Sequence, residues 1–267
     1  MEESFQKLIS VNTDILMLTL LTFFFTLEQI ISRASLSPGR IPHMLHGIPL
    51  LAGYMMINFG LAFMVVFCVQ WIVENQIGLF NQIQIPYAFK VIIGVFCIDF
   101  VSYWFHRGYH TFSILWRLHR VHHSDTTMDS STFLRFHPLD WFLDNSSVLV
   151  ACFIFGLDLN IVVINFILYL PLFIAHHSLF VFPEWFDRTI GKIIVSPNFH
   201  KVHHHQNQEF TDTNYGNIFI IWDKLFGTYK TLPVSEIKYV LAEFDSTERQ
   251  SFWFLLKSPF MNIKRTN

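Results

Sequence analysis

Long apolar stretches separated by polar segments dominate the pattern of the chain. An α-helix needs about 20 apolar residues to cross the hydrocarbon core of a bilayer. Four stretches have this character: 15–31, 47–73, 87–105 and 141–182. Charged residues are rare inside them and are limited to Glu28, Lys90, Asp99, Asp144 and Asp158. We therefore predict one membrane span from each of the first three stretches.

The fourth stretch is too long for a single span. Its 42 residues would form a helix about 63 Å long at 1.5 Å per residue. The turn-forming residues Gly156, Asp158 and Asn160 lie near its middle, so we predict a helical hairpin whose two ends lie on one side of the membrane. The fold predicted is an all-α integral membrane bundle of about three spans plus a helical hairpin, with a helical cap.

The distribution of arginine predicts the orientation of this bundle. Arg33 and Arg40 follow the first stretch, and Arg107, Arg117 and Arg120 follow the third. By the positive-inside rule these segments are cytoplasmic. We expect residues 107–140 and 184–267 to form one cytoplasmic cap, the N-terminus to lie outside, and the membrane to be the endoplasmic reticulum or a bacterial inner membrane.

Composition supports the membrane prediction and excludes other classes. Of the 267 residues 52% are hydrophobic and only 14% are charged, too few to cover the surface of a soluble domain. The net charge of −2 gives no electrostatic reason to expect nucleic acid as a partner. Cys68, Cys97 and Cys152 lie far apart, which indicates small buried apolar residues and argues against a disulfide framework or a thiolate metal site.

Histidine is the residue type that indicates chemistry. Twelve of the 14 histidines lie at or beyond position 106. Most fall into three clusters with i, i+3 or i+4 spacing, which places imidazoles on one face of a helix. These clusters are His106 and His110; His119, His122 and His123; and His200, His203 and His204.

Each cluster is predicted to be a set of metal ligands. Eight imidazoles exceed the three or four protein ligands of one tetrahedral ion, so two metal ions are expected, and the scarcity of carboxylates separates the site from Glu-rich di-iron bundles. Imidazole binds iron, zinc, copper and nickel alike. His176 or His177 at the end of the hairpin is a further candidate ligand. His137 is a candidate for a ligand or for an orienting hydrogen bond. Asp99 is a candidate either to orient a ligand imidazole through its second nitrogen or to make a structural hydrogen bond in the bundle.

Three further histidines are predicted to lie outside the site. His205 follows His204 directly and is turned about 100° away on a helix. His43 and His46 are expected at a membrane interface.

The histidine clusters lie within longer motifs that resemble those of a known family. The segments are DFVSYWFHRGYH at 99–110, HRVHHS at 119–124, SPNFHKVHH at 196–204, NYGN at 214–217 and WDKLFGT at 222–228. They resemble the histidine boxes and the following conserved segments of the fatty acid hydroxylase and sterol desaturase superfamily. HSLFVFP at 177–183 resembles the intermediate segment of that family, which favours His177 over His176 as a ligand.

The resemblance implies a membrane-bound di-iron oxygenase that acts on lipids. It implies two Fe ions, with zinc as the alternative in a purified form, and hydroxylation or desaturation of a fatty acyl, sphingoid, sterol or related lipid. The chain is divided accordingly into membrane spans at 1–91, a catalytic region at 92–230 and a cytoplasmic or interfacial tail at 231–267. The sequence has no haem module, GxGxxG motif or cysteine cluster, so a separate electron donor is expected, such as a cytochrome b5-like protein, a ferredoxin or a reductase.

Two other functions fit parts of the pattern. A dizinc lipid hydrolase would use a metal-bound water and a nearby carboxylate, for which Asp125, Asp129 and Asp212 are candidates. A membrane metal carrier would need polar residues deep in the spans, where only Asp99, Glu28 and Asp158 are available.

Overall fold

The computed structural model describes residues 12–31 and 40–265, apart from the side chains of residues 14, 29, 31, 40–48 and 54. Arg33 and the side chains of Arg40, His43 and His46 therefore lie outside the described part. The helices are α1 Thr13–Ile31, α2 Arg40–Glu74, α3 Leu79–Gln82, α4 Tyr87–Thr111, α5 Ser113–His119, α6 Pro138–Phe155, α7 Leu159–His177, α8 Glu184–Arg188, α9 Pro197–His203, α10 Gln208–Thr211, α11 Ile221–Leu225 and α12 Phe252–Lys257.

Short 3₁₀ turns connect several of these helices. They are His122–Ser124, Thr132–Leu134, Ile190–Lys192, Val234–Glu236, Ala242–Phe244, Thr247–Gln250 and Ser258–Phe260. Strand pairing among the described residues is limited to one isolated antiparallel bridge between Ile194 and Phe219. The prediction of an all-α fold is confirmed.

Four helical segments are long and apolar enough to cross a membrane: Pro49–Gln82, Tyr87–Thr111, Pro138–Phe155 and Leu159–His177. The apolar part of α1 is shorter, Ile15–Glu28. Large apolar side chains on the outer face of α2 are exposed at i, i+3 and i+4 spacing, with Met56, Phe59, Phe63 and Phe67 between 65% and 80% exposed. An apolar stripe of this size facing outward is typical of contact with lipid, and the protein is an integral membrane helical bundle.

The predicted hairpin is present between α6 and α7. Gly156 follows the last residue of α6 in a left-handed conformation with φ of 71°, which glycine adopts without strain. A Cβ atom there would lie 2.7 Å from the carbonyl oxygen of Ile77. Asp158 then begins α7, because its Oδ1 accepts a hydrogen bond from the backbone N–H of Ile161 at 3.1 Å.

The apolar core holds the helices so that several of their ends meet at one end of the bundle. Val69 of α2, Ile98 of α4, Ala151 of α6 and Ile161 of α7 belong to one buried cluster. This packing brings the C-terminal ends of α4 and α7 to the same end of the bundle as α5 and α9. The polar segment 107–140 and the described part of the second polar segment, 184–265, therefore meet there, as the hairpin requires.

The last part of the chain packs against the region of the second histidine cluster. Arg120 is 1% exposed, and its guanidinium donates hydrogen bonds to the carbonyl oxygens of Ser258, Met261 and Ile263. Leu241 and other apolar residues beyond position 231 share a buried cluster with α5. The boundary at residue 230 stays a proposal, and many contacts cross it.

Candidate metal centre

The structure brings nine histidines together in two buried groups at the end of the bundle where α4 and α7 terminate. In each group the ligand-type atoms lie within 4.8 Å of one another. The five-histidine group contains His106, His110, His119, His123 and His203. The four-histidine group contains His122, His177, His200 and His204. These nine are the histidines that the sequence predicted as ligands, and their role as ligands stays a prediction.

The two groups cut across the sequence clusters. Histidines four residues apart share a group, as His119 and His123 do, whereas the residue at i+3, His122, belongs to the other group. The third cluster divides in the same way, because His200 and His204 stay together and His203 turns to the opposite group. The first cluster, on α4, contributes both of its histidines to the five-histidine group.

The nitrogens in each group approach as ligands of a shared ion do. In the four-histidine group, Nε2 of His177 lies 3.0 Å from Nε2 of His122, 3.1 Å from that of His200 and 3.2 Å from that of His204. In the five-histidine group, the Nε2 atoms of His106 and His119 are 3.2 Å apart. Two nitrogens bound to one ion at 2.0 to 2.1 Å lie about 3 Å apart, so the donor set fits a metal.

Hydrogen bonds on the opposite nitrogen orient five of these rings. Each Nδ1 faces a carbonyl or carboxylate oxygen, which can only accept, so Nδ1 carries the hydrogen and the Nε2 lone pair is left for a metal. The pairs are His106 with Tyr215 O at 2.9 Å, His203 with Thr213 O at 2.7 Å, His177 with Phe173 O at 2.7 Å, His110 with Asp212 Oδ1 at 3.1 Å and His119 with Asp140 Oδ2 at 3.0 Å.

Burial keeps the imidazoles in the form that binds metal. Desolvation, followed by repulsion from neighbouring histidines, holds the pKa of His122 and His123 well below its usual value. The same causes lower the pKa of His200, His203 and His204. Nε2 of His203 is buried without a hydrogen-bond partner among the described residues. Metal binding requires neutral imidazole, and such buried lone pairs fit a bound cation.

The weaker candidates lie outside both groups. Nε2 of His176 donates to the carbonyl oxygen of Val195 at 2.9 Å. His137 begins α6, and its Nδ1 accepts from the N–H of Leu139 at 3.2 Å. His205 also lies apart, with Nδ1 accepting from the N–H of Asn207 at 2.9 Å.

Asp99 makes structural hydrogen bonds instead of orienting an imidazole. Its carboxylate accepts from the N–H groups of Ile218 and Phe219 at 2.9 and 3.0 Å and from Nε1 of Trp222 at 2.8 Å. It therefore ties α4 to the segment that follows the third histidine cluster. Of the two roles open to Asp99 in the sequence, the structural one is observed.

Asp140 and Asp212 perform the orienting role, and the sequence did not assign it to them. Asp140 is 21 residues from His119 and Asp212 is 102 residues from His110, so helical spacing could not connect either pair. Asp212 is held in turn by the guanidinium of Arg265 at 2.5 Å. The position of Asp140 two residues after the segment 135–138, which contains His137, was the one available signal.

An apolar cavity reaches the histidines from the membrane-spanning part of the bundle. The space beside His106, His119, His122 and His200 is also lined by Trp141 and Phe173. Both aromatic residues line a second cavity between the spans as well. The two cavities therefore share Trp141 and Phe173 as wall residues between the spans and the histidine groups.

Comparisons with known proteins agree with these features. A model of the fatty acid hydroxylase family matches residues 91–228, more than half of the chain. Alkylglycerol monooxygenase of Danio rerio is 31% identical over 161 residues, 56% of this chain and 33% of that protein. Human lathosterol oxidase is 29% identical over 152 residues, 55% of this chain and 48% of that protein.

A bacterial relative has a similar level of identity. The ornithine lipid hydroxylase OlsE of Rhizobium tropici is 30% identical over 152 residues, 56% of this chain and 44% of that protein. The chain spans between a third and a half of the length of these three relatives. No solved structure matches the chain. With the histidine motifs, the buried histidine groups and a family match over more than half its length, the chain belongs to the fatty acid hydroxylase family.

Proposed function

We propose that this protein is a membrane-bound di-iron oxygenase that hydroxylates or desaturates a C–H bond of a lipid with O2 and external electrons. The observation that carries the proposal is the pair of buried histidine groups beside a cavity of the membrane-spanning bundle. The relatives are named as a lipid monooxygenase, a sterol oxidase and a lipid hydroxylase, which supports oxidation of a lipid here.

The two groups would each hold one ion, five imidazoles on one side and four on the other. A pair of reduced iron ions, when bound, supplies activation of O2 and an oxidant that removes hydrogen from an unactivated C–H bond. Ligand type alone does not select iron over zinc, so iron is part of the proposal. Nine neutral nitrogens exceed the ligand requirement of one ion.

The chain's own residues orient the imidazole rings, keep bulk water out and give the lipid access to the site. Asp140, Asp212 and the carbonyl oxygens behind the rings fix the direction of the Nε2 atom in five of the nine histidines. The buried surroundings keep bulk water from the site, and the apolar cavity offers a lipid a route from the bilayer. Electrons would come from a separate donor protein such as a cytochrome b5-like protein, a ferredoxin or a reductase.

The proposal includes an orientation in the membrane. The histidine groups would lie on the cytoplasmic side of an endoplasmic reticulum or bacterial inner membrane, with 92–230 as the catalytic region. The arginines at 107, 117 and 120, close to this end of the bundle, support that orientation.

The two alternative functions find little support in the acidic residues they require. Oδ2 of Asp125 accepts a hydrogen bond from Thr132 at 2.7 Å and Oδ1 of Asp129 accepts one from Ser131 at 2.6 Å, so both serve the local turn. Asp212 faces the Nδ1 side of His110, away from the nitrogen that a metal-bound water would neighbour. Of the residues considered for a carrier path, Asp99 and Asp158 are occupied by structural hydrogen bonds.

Two measurements test the proposal. Mass spectrometry of total lipids from cells with the wild-type gene, compared with cells expressing His203→Ala at equal protein level, should show a gain of one oxygen or a loss of two hydrogens in one lipid class. Elemental analysis after expression in iron-replete medium should show two ions per chain. One ion or fewer per folded chain would contradict the dinuclear site, and stoichiometric zinc in a preparation active without reductant would favour the hydrolase.

A further inference from the structure

Polar side chains line part of the cavity that lies between the membrane spans. This cavity has about 890 Å³ of empty space, part of it open to the outside, and its wall includes apolar residues of α1, α2, α4, α6 and α7. The polar positions include Asp144 and Asn145 of α6 and Asn165 of α7. A carboxylate and amides at this depth are costly in a bilayer and call for a hydrogen-bonding partner.

The oxygen atoms of these side chains are hydrogen-bond acceptors that the rest of the described protein leaves unused. The Asp144 carboxyl receives no hydrogen bond from any described residue, and Oδ1 of Asn165 is buried without a partner among those residues. Asn145 donates its amide hydrogen to the carbonyl oxygen of Trp141 at 2.9 Å, which leaves its Oδ1 as an acceptor. Their natural partner is a group that donates hydrogen bonds.

Asp144 lies at the junction between the cavity of the membrane spans, called the membrane cavity below, and the cavity beside the histidines. It lines both cavities, together with Trp141, Tyr169, Phe173 and Asn217. Buried Tyr109, whose hydroxyl has no partner among the described residues, lines the histidine side of this junction. The junction is therefore polar on both sides, whereas the remainder of the membrane cavity is mostly apolar.

The helix sets the distance from this junction to the histidines. Asp140 contacts His119 through Oδ2 at 3.0 Å, and Asp144 follows it by four residues on the same helix face. The two carboxyl groups are thus about one helical turn apart, roughly 5 to 6 Å. A group bound at Asp144 would lie one turn from the five-histidine group, and only a few carbon atoms would separate it from the reacting position.

We propose that Asp144, with Asn165 and Asn145, forms the subsite that binds the polar end of the lipid substrate, an inference that rests on the proposed function. The end group would be a hydroxyl or an ammonium, since the acceptors require a donor. The apolar body would fill the membrane cavity towards Val65 of α2 and Met17 of α1. The carbons next to the polar end would then face the histidines, and a lipid without a donor at that end would bind poorly.

Binding of matched lipids to the full chain, purified metal-free in detergent, tests this subsite. Native mass spectrometry would compare 1-hexadecanol with its methyl ether at equal mole fraction in the micelle, because the two differ in the donor and share the chain. We expect the alcohol to bind about tenfold more tightly, the gain from one well-formed hydrogen bond to a buried acceptor. Asp144→Leu should reduce this preference to within about twofold, and Asp144→Asn should retain part of it.

The control variant is Asp245→Leu, which removes an exposed carboxylate outside the bundle and should leave the preference unchanged. If thermal unfolding shows that Asp144→Leu is not folded, Asn165→Leu replaces it with the same expected loss. Equal binding of alcohol and ether by the wild-type chain, or a preference that survives in the folded variant, would overturn the subsite. Because the assay needs neither metal nor turnover, a preserved preference in a protein without oxygenase activity would refute the proposed function and leave the subsite intact.

Discussion

Replacing Glu28 with alanine should destabilise the region of the four-histidine group, although Glu28 belongs to neither group. Glu28 lies near the end of α1 and is 0% exposed. Its Oε1 accepts hydrogen bonds from the backbone N–H of Ser130 at 3.0 Å and of Leu179 at 2.8 Å, and its Oε2 accepts one from Ser130 Oγ at 2.9 Å. One carboxylate thus joins α1 to the loop after the second histidine cluster and to the residue two positions beyond His177.

The magnitude follows from the two backbone donors. In Glu28→Ala the N–H groups of Ser130 and Leu179 lose their acceptor while buried, at about 1 to 3 kcal/mol each. The total is about 2 to 6 kcal/mol, a large share of the 5 to 15 kcal/mol that is typical of a folded protein. Glu28→Gln keeps an oxygen in the Oε1 position and puts an amide donor in place of Oε2, so the hydroxyl of Ser130 must turn to accept and the charge is lost, at about 1 kcal/mol per hydrogen bond.

Thermal unfolding in detergent and metal content per chain measure the effect. We expect Glu28→Ala to lower Tm by at least about 4 °C, at roughly 2 to 4 °C per kcal/mol, and to reduce bound metal. Glu28→Gln should lose less, and the control Glu74→Ala, at the exposed end of α2, should behave as wild type. Equal stability of Glu28→Ala and Glu74→Ala would refute this reasoning, as would an equal loss in the alanine and glutamine variants.

Four further results are expected. Asp140→Ala removes the acceptor of His119 Nδ1 and should weaken metal binding about 10- to 100-fold, which titration with a competing chelator would measure; unchanged affinity would show that this hydrogen bond does not orient the ligand. Burial lowers the pKa of the five candidate ligands outside the spans, which are His122, His123, His200, His203 and His204, so the unfolded chain takes up protons near pH 6.5 that the folded one does not. The free energy of unfolding of the metal-free protein should therefore be highest above that pH and decrease below it, by up to about 1.4 kcal/mol per pH unit for each histidine. A Tm that stays the same between pH 7.5 and 5 would contradict the buried neutral state of these histidines. Single cysteines at the exposed positions Thr126 and Ser235 should be labelled from the cytoplasmic side and one at Gln76 from the opposite side, and labelling of the first two from different sides would contradict the orientation. In an assay of product formation, single alanine substitutions should abolish lipid oxidation at His106, His110, His119, His122, His123, His177, His200, His203 and His204, and should preserve it at His43, His46, His176 and His205. An inactive His205→Ala variant together with an active His203→Ala or His204→Ala variant would contradict the assignment.

Local patterns in the sequence predicted much of the architecture, because they depend on neighbours along the chain. The length of each apolar stretch identified the spans, since a helix that crosses the membrane must match the thickness of the bilayer. The turn formers at Gly156 and Asp158 located the hairpin, since a left-handed residue and a helix cap act within a few residues. In the same way, i, i+3 and i+4 spacing identified His119, His122 and His123 as one cluster of candidate ligands, because neighbouring helical turns place such residues on one face.

The sequence by itself determined the membrane class, the hairpin, the family resemblance and the candidate ligands, since each of these is encoded in local composition and spacing. The tertiary structure decided which histidines share a group, because His203 meets His106 only after α9 packs against α7 and the long helices pack together. It also decided that Asp140 and Asp212 orient imidazoles while Asp99 and Glu28 bind backbone N–H groups. These contacts join residues up to 151 positions apart, and a carboxylate's role depends on which donor folding brings within 3 Å, a distance that no spacing along the chain encodes.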